Sequence, residues 1–363
     1  MFTKTKNLEK TQKRERQYPR KEDIRGPYFR DLTAILHSQA FRRLKHKTQV
    51  FFSPENDHIC TRIEHSLHVS TIAATIAKAL ELDTELAQSI GLGHDLGHAP
   101  FGHKGEKVLR KITNINFKHE LHSLRVADSI ENYGKGINLT YAVRDGIASH
   151  CGEKDEQFIE LADPPNDLSD LRTLPKSPST WEGCVVKISD SIAYLGRDLE
   201  DATVAGLISV KDIPKNLRDG LGTDNSSIIK TLVYDVIDWS RKNHKIGFSR
   251  EKFEMVEELK NFSRNNIYGH PKMQYWNDYS EFVINTLNKY LYYHFNKYGF
   301  DFKKYENDAP SLVKKFGKFI KSLKHLYTES NFDRIICDYI AGMTDNYALN
   351  CLEFILSSGT SGF

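Results

Sequence analysis

The chain has 363 residues and carries 51 lysines and arginines against 48 aspartates and glutamates, a formal net charge of +3. This near balance excludes a global electrostatic field that dictates a polyanionic partner. Hydrophobic residues make up 39% of the chain, which is enough for a substantial buried core in one large domain or two.

The cysteines and the first residues indicate the compartment. Five cysteines are scattered without a Cys-x-x-Cys pair, which fits a reducing environment better than a disulfide framework. The N-terminus lacks an apolar signal core, and no run approaches the roughly 18 apolar residues that a membrane span needs. We therefore expect a cytoplasmic protein with no membrane partner.

Residues 1–24 are dense in lysine and arginine and have few apolar positions, which predicts a basic N-terminal arm. A solvated tail, a phosphate contact and a subunit interface are all open as its role.

Helical periodicity recurs along the rest of the chain. Residues 29–44 predict an amphipathic helix, and residues 63–82 are the clearest helix of all. A second helix begins after Asp83 and leads to His94 and Asp95, and the short link makes these two helices antiparallel neighbours. Further helices are predicted at residues 104–112, 119–133, 137–150 and 181–199 and over most of 226–356, with a turn-rich insertion at 164–178.

Few alternating strand patterns occur anywhere in the chain. We therefore predict an all-α fold with a helical core at residues 25–210 and a helical C-terminal region at residues 211–363 that packs on the core.

Residues 91–106 hold three histidines and two acids in a stretch that glycines and a proline interrupt. A helix end followed by an ordinary turn is the plain interpretation. The adjacent His94 and Asp95 favour a site, because they offer an imidazole and a carboxylate to the same cation, and functional groups often lie on loops that a rigid scaffold holds.

A metal site made of His94 and Asp95 alone is incomplete, because a catalytic divalent ion takes further protein ligands. His65 lies on the neighbouring predicted helix, and Asp190 interrupts an apolar helix face where an unpaired acid is costly to bury. His65 and Asp190 are therefore candidates for the further ligands of a metal site with His94 and Asp95.

This order of His65, His94-Asp95 and Asp190 resembles the metal-binding signature of the HD-domain phosphohydrolases. Further segments, in matching order, are similar to the deoxynucleoside triphosphate triphosphohydrolase (dGTPase-like) family. These segments are residues 40–44, 47–51, 61–66, 94–106, 117–120, 123–125, 190–198 and 338–345. The resemblance implies an HD-domain core that hydrolyses a dNTP, either dGTP or several dNTPs, to the deoxynucleoside and inorganic tripolyphosphate.

The resemblance also implies roles for single residues. The four predicted ligands would hold a divalent ion, and a mixed shell of nitrogen and oxygen leaves Mn, Mg, Fe, Co and Ni open. His103 and Glu106 match the family's catalytic pair, and His119 matches another active-site histidine. Structural hydrogen bonding is the alternative role for His119 and His98.

The substrate-binding residues follow from the same resemblance. Gln49 and Asp198 match positions that bind the sugar 3′-hydroxyl, Tyr194 matches the ring under the deoxyribose, and Arg62 matches a phosphate-binding arginine. His98 lies where a phosphate or base contact is expected. Some relatives have a phosphate-binding lysine at the position of Ser191. In this chain another residue would have to supply that positive charge, and the candidates are Lys187, Arg42 and Arg43.

Two alternatives remain open. An HD-type phosphohydrolase acting on another nucleotide keeps the metal site but does not need the sugar-binding residues. A nucleic-acid-binding regulatory protein would instead use the basic arm on a single strand, and its binding would fall steeply with salt. The family resemblance further implies a homo-oligomer, with a hexamer favoured, and a nucleotide effector.

Overall fold

The structure is a computed structural model and describes residues 10–51, 58–151, 156–169, 175–328 and 330–358. Its architecture is helical, so the prediction of an all-α fold is confirmed. The α-helices of the first part of the chain are α1 (Lys10–Lys13), α2 (Gly26–His37), α3 (Gln39–Arg43), α4 (Arg62–Ala79), α5 (Thr84–Gly93), α6 (Gly102–Ile112), α7 (His119–Arg125), α8 (Glu131–Gly134), α9 (Tyr141–Ser149) and α10 (Trp181–Val204). Those that follow are α11 (Lys215–Leu221), α12 (Asn225–Asn243), α13 (Arg250–Ser263), α14 (Pro271–Tyr298), α15 (Phe302–Asn307), α16 (Ser311–Ser322), α17 (Phe332–Ala341) and α18 (Asp345–Ser358).

The remaining regular elements are short. Helices of the 3₁₀ type cover Leu44–His46, Val210–Asp212 and Lys324–Leu326, and π-helical turns cover Val126–Ile130 and Arg264–Tyr268. Strands β1 (Phe158–Ile159) and β2 (Ile246–Gly247) pair antiparallel, with Phe158 opposite Gly247. Within the described ranges, no helix combines the length and the apolar character that crossing a membrane requires.

Helices α4, α5 and α10 pack against one another and position most of the predicted site. The start of α5 is fixed by Asp83, whose side chain accepts the N–H of Leu86 at 3.0 Å. Gly91 lets α5 approach α4 closely, since a Cβ there would lie 2.8 Å from the Cα of Ser70. This close packing brings His65 on α4 beside the C-terminal end of α5.

Two predicted helices are interrupted. The helix predicted at residues 29–44 ends at His37 and begins again after Ser38, whose hydroxyl accepts the N–H of Phe41 at 3.1 Å and so caps α3. The helix predicted at 119–133 passes into a π-helical turn after Arg125. Asn132 and Tyr133 take left-handed φ angles of 53° and 57°, so α8 is a distorted turn and not a continuation of the regular helix. The insertion predicted at 164–178 lies partly outside the described residues.

Apolar side chains form two clusters. One joins α2, α4, α5, α9 and α10 with α11 to α13. The other joins α6 with α14 and α16 to α18. Helices α11 to α13 thus pack with the elements that precede residue 210, and the predicted division at that residue stays a prediction.

The described part of the basic arm lies against the core. Arg16 is only 9% exposed in its side chain, and its guanidinium donates to Asp31 at 2.6 Å and to the carbonyl of Asn138 at 2.5 Å. The arm is therefore docked at this point, while residues 1–9 lie outside the described chain.

Candidate active site and metal centre

The four predicted metal ligands come from three helices and meet in the interior. His65 lies on α4, Asp190 on α10, and His94 and Asp95 directly follow α5. The Nε2 atom of His65 lies 2.9 Å from Oδ1 of Asp190, and Nε2 of His94 lies 3.6 Å from Oδ2 of Asp95 and 3.9 Å from Oδ1 of Asp190. The structure therefore brings all four side chains together.

The hydrogen bonds of His94 leave it prepared to bind an ion. Its Nδ1 lies 2.7 Å from the carbonyl of Gly91, which can only accept, so Nδ1 carries the proton and Nε2 presents a lone pair. This Nε2 is buried and has no hydrogen-bond partner among the described residues. Burial lowers the pKa of His94, which keeps the imidazole neutral, the form that binds metals.

The two carboxylates stay ionised. Burial alone would raise the pKa of Asp190, but the hydrogen bond with His65 and the nearby imidazoles together outweigh it and lower that pKa. Burial likewise opposes ionisation of Asp95, but the Arg62 guanidinium together with the surrounding histidines outweighs it and holds the pKa of Asp95 well below its ordinary value. Two imidazoles and two carboxylates fit a divalent transition metal or Mg²⁺.

Arg62 is engaged with the site from within. Its side chain is 2% exposed, and it donates to Oδ2 of Asp95 at 2.6 Å and to the carbonyl of Gln49 at 3.2 Å. Its Nε atom is buried without a partner in the described part of the chain. The phosphate-binding role of Arg62 stays a prediction.

His103, Glu106 and His119 form a second group beside the metal ligands. The Oε2 atom of Glu106 lies 3.6 Å from Nδ1 of His103 and 2.9 Å from Nδ1 of His119, and Nε2 of His119 lies 3.8 Å from Oδ1 of Asp95. The side chain of His103 is 66% exposed, whereas His119 and Glu106 are buried. Glu106 thus joins an exposed imidazole to a buried one.

The charges in this group reinforce one another. Burial alone would lower the pKa of His119, but the Glu120 carboxylate and hydrogen bonds with Cys151 and Glu106 outweigh it and raise that pKa well above the ordinary value. Burial alone would raise the pKa of Glu106, and hydrogen bonds from His103 and His119 lower it instead. His119 is therefore positively charged beside an ionised Glu106.

His98 is fully buried, and its ring stacks on that of His119 at 4.6 Å between centroids. Burial and the Arg62 charge hold the pKa of His98 well below its ordinary value, and its Nε2 has no partner among the described residues. This neutral, unpaired nitrogen is available to a ligand.

Two of the predicted sugar-binding residues, Tyr194 and Asp198, lie on α10, and the third, Gln49, precedes α4. Asp190, Tyr194 and Asp198 follow one another at intervals of four on α10, so they share a helix face. Oε1 of Gln49 and Oδ1 of Asp198 are buried without hydrogen-bond partners within the described residues.

Two residues of the site were missed from the sequence. Tyr268 donates its hydroxyl to Oδ2 of Asp198 at 2.5 Å. His150 is 1% exposed, with its ring centroid 4.9 Å from that of His94, and ligand atoms of His94, His150 and Asp190 lie within 4.8 Å of one another. Burial lowers the pKa of His150 to about 4, and its Nε2 has no partner in the part of the chain described.

His150 has the same local structure as His94. It follows α9 directly and bonds through Nδ1 to the carbonyl three residues earlier, at 2.8 Å, just as His94 does after α5. Tyr268 lies in a π-helical turn far along the chain, and no spacing in the sequence indicates its contact with Asp198.

The residues considered as substitutes for a phosphate-binding lysine lie in other surroundings. Lys187 donates to the carbonyls of Cys151 at 3.2 Å and Lys176 at 3.1 Å. Arg43 lies 3.6 Å from Glu131. Arg42 is exposed. The structure thus places Lys187 at the edge of the site, next to Cys151.

Comparison with known proteins agrees with this geometry. A family model described as HD domain matches residues 62–195, and a model described as phosphohydrolase-associated domain matches residues 246–353. The first match contains all four predicted metal ligands.

Similar proteins named deoxyguanosinetriphosphate triphosphohydrolase-like occur in several bacteria. The protein of Caldanaerobacter subterraneus subsp. tengcongensis is 41% identical over 90% of this chain and 84% of its own length. Those of Desulfatibacillum aliphaticivorans and Clostridium tetani are 38% and 37% identical over 90% of this chain and 86% and 85% of their own lengths. The resemblance seen in the sequence is confirmed, and the chain belongs to the HD-domain family of deoxyguanosinetriphosphate triphosphohydrolase-like proteins.

Proposed function

We propose that the protein hydrolyses deoxynucleoside triphosphates, either dGTP or several dNTPs, to the deoxynucleoside and inorganic tripolyphosphate with a divalent ion. The carrying observation is a group of buried polar atoms at the site that lack hydrogen-bond partners among the described residues. They are Nε2 of His94, His98 and His150, Oε1 of Gln49, Oδ1 of Asp198 and Nε of Arg62. Native proteins keep few such groups because each is costly, so we infer that ligands satisfy them.

His65, His94, Asp95 and Asp190 would hold the ion, and Mn, Mg, Fe, Co and Ni all suit this donor set. A bound divalent ion supplies Lewis acidity at the α-phosphate. Arg62 keeps Asp95 ionised and oriented, at 2.6 Å, whether or not it also contacts a phosphate.

The reaction needs a water molecule, stabilisation of negative charge and proton transfer. A bond forms between the water oxygen and the α-phosphorus as the water gives up a proton, the bond from that phosphorus to the 5′ oxygen breaks, and the leaving oxygen takes up a proton. The charged His119 stabilises the anionic phosphates from a buried position. His103, exposed and next to Glu106, either takes the proton from the attacking water or gives one to the leaving 5′ oxygen.

The sugar-binding residues select the deoxynucleotide. Gln49 and Asp198 offer their unpaired oxygens to the 3′-hydroxyl, which penalises analogues that lack it. Tyr194, on the same face of α10, packs under the deoxyribose and leaves no room for a 2′-hydroxyl.

The test is to incubate the metal-loaded protein with each dNTP and the matching ribonucleotide, singly and mixed, and to separate the products by ion exchange. We expect a deoxynucleoside and tripolyphosphate, lost in His94→Ala and Asp95→Ala. His37→Ala, which removes an exposed histidine at the end of α2, is the control and should keep full activity.

Other products would decide between the alternatives. Monophosphate and pyrophosphate would indicate a different HD-type phosphohydrolase. No turnover with any metal or dNTP mixture would favour a nucleic-acid-binding protein. On the family resemblance we further propose a homo-oligomer, with a hexamer favoured, that binds a nucleotide effector; light scattering showing only monomers with and without dNTPs would contradict this.

A further inference from the structure

Asp345, the first residue of α18, reaches the site from the far end of the chain. It is 3% exposed. Its Oδ1 accepts the N–H of Phe101 at 2.9 Å, and its Oδ2 accepts the N–H of Thr48 at 2.9 Å and also the hydroxyl of Thr48. One carboxylate thus links two segments that are more than fifty residues apart in the sequence.

Each of these segments carries predicted site residues. Thr48 directly precedes Gln49, the predicted partner of the sugar 3′-hydroxyl. Phe101 directly precedes α6, which carries His103 and Glu106. The relative position of the sugar-binding and proton-transfer residues therefore depends on how these two segments are held.

The two segments also touch each other. A Cβ on Gly102 would lie 3.2 Å from the carbonyl oxygen of Gln49, so a larger residue would press against it. Phe101 and Gly102 both take a φ of 61°, a left-handed conformation that phenylalanine rarely adopts. Such backbone persists only where its surroundings hold it, and Asp345 bonds the amide of Phe101 itself.

A second link between the same regions lies next to the first. Lys47 is 2% exposed, and its ammonium donates to the carbonyl of Ala341 at 2.7 Å and to the carbonyl of His98. Residues 47 and 48 are therefore both bonded to the segment 341–345, which the sequence singled out without giving it a role.

We propose that Asp345 is a positioning residue that sets Gln49 against the His103–Glu106 pair and thereby determines recognition of the 3′-hydroxyl. This inference rests on the proposed dNTP hydrolysis. Asp345 acts through Thr48 and Phe101, and does not itself contact the substrate.

The test compares Asp345→Asn with Asp333→Asn. Asparagine keeps one acceptor, so either Phe101 or Thr48 loses its bond. Asp333 is a matched control, since it also bonds from the C-terminal region to the core, at 3.0 Å to the N–H of Asn114, but at the far end of α6. The readout is kcat/KM for a dNTP divided by that for the matching 2′,3′-dideoxynucleotide.

We expect this ratio to fall about tenfold in Asp345→Asn, the equivalent of one misaligned hydrogen bond, and to stay at the wild-type value in Asp333→Asn. In a Gln49→Ala background, Asp345→Asn should lower the ratio no further, because both changes remove the same contact. A folded Asp345→Asn protein with the wild-type ratio overturns the proposal. If Asp345→Asn does not fold, Thr48→Val, which removes only the hydroxyl bond, takes its place, with a smaller fall expected and an unchanged ratio again overturning the proposal.

A second readout does not depend on activity. Amide hydrogen exchange at Thr48 and Phe101 should be faster in Asp345→Asn than in the wild type, and unchanged in Asp333→Asn. If the wild type fails to hydrolyse any dNTP, the proposed function is wrong, and amide hydrogen exchange alone then tests whether Asp345 holds Thr48 and Phe101. Unchanged exchange at both amides overturns this link, and faster exchange supports it.

Discussion

Among the predicted sugar-binding residues, Asp198 has a pKa that its surroundings shift strongly. Burial raises its pKa to about 7, although the hydroxyl of Tyr268 donates to it and partly opposes this rise. The folded protein therefore binds a proton at Asp198 far more tightly than the unfolded chain, in which an aspartate has a pKa of about 3.9.

This difference predicts how stability depends on pH. A raised folded-state pKa contributes stability that is complete below the unfolded pKa, near 4, and is lost as the pH rises through about 7. Asp198→Asn cannot ionise, so between pH 4 and 8 we expect the wild type to lose up to about 4 kcal/mol of unfolding free energy that this variant keeps. Chemical denaturation with a chelator present measures it. Tyr268→Phe should move the wild-type loss to higher pH, and identical pH profiles for wild type and Asp198→Asn would contradict the argument.

Only the candidate metal ligands had a local chemical signal in the sequence, and the family resemblance alone indicated the other residues of the candidate site. An adjacent histidine and aspartate, and an acid on an apolar helix face, have few structural uses, and the structure brings both together with His65. His150 was not predicted, because one histidine at a helix end is usually structural and its approach to His94 depends on how α9 packs. Tyr268 was missed for the same reason, since its contact with Asp198 spans 70 positions.

At the scale of elements, periodicity predicted where the helices lie better than where they stop. The helix breaks at Ser38 because the side chain of this serine caps α3. A serine can occur either within a helix or as a cap, so the sequence alone does not tell which applies. No residue preference in the sequence indicates the π-helical turn after Arg125, because its formation depends on how that segment packs in the folded chain.

Helices α7 and α17 are joined by a buried ion pair that also reaches the site. Asp338 is 1% exposed and accepts from Arg125 at 2.6 and 2.9 Å and from the hydroxyl of Tyr327 at 2.8 Å. His122 lies 3.4 Å from the same carboxylate and bonds through Nδ1 to the carbonyl of Gly97, two residues after Asp95. The C-terminal region therefore supports the loop that follows His94 and Asp95.

We expect the loss of this ion pair to lower the unfolding free energy substantially. Asp338→Asn leaves the Arg125 guanidinium, which is 20% exposed, without its countercharge, and we expect the unfolding free energy to fall by about 3–5 kcal/mol. Asp333→Asn, in the first turn of the same helix and half-buried with an exposed hydrogen bond, should cost no more than about 1 kcal/mol. Urea denaturation of both variants measures the difference. Equal stabilities would show that the Arg125–Asp338 pair contributes little to the packing of α7 on α17.

At the scale of the whole molecule, the sequence predicted that a helical C-terminal region packs on a core but not which residues join them. The bonds from Lys47 to Ala341 and from Thr48 to Asp345 span 294 and 297 positions, and neither periodicity nor composition reports such pairs. The family resemblance recognised residues 338–345 as a segment without giving it a role, and its role depends on contacts that only the folded chain displays.

The basic arm is the feature of the whole molecule that supports the nucleic-acid-binding alternative. Arg16 is buried against Asp31, and the exposed Arg25 is paired with Asp23 at 2.6 Å, so both charges are neutralised within the protein. Arg20 and Lys21 are exposed and lie between them. These two residues are therefore positive charges of the described part of the arm that a single strand could contact.

The double variant Arg20→Gln, Lys21→Gln separates the two functions. We expect dNTP turnover to remain within about twofold of the wild type, because neither Arg20 nor Lys21 is among the residues proposed for metal binding, catalysis or sugar binding. Binding of a single-stranded oligonucleotide should weaken, and the slope of log K against log salt should become shallower by roughly 1.4, about 0.7 for each lost phosphate contact. Titrations from 50 to 200 mM salt measure both. A fall in turnover with an unchanged slope would instead assign the arm to the hydrolytic site, and would remove the observation that favours a nucleic-acid partner.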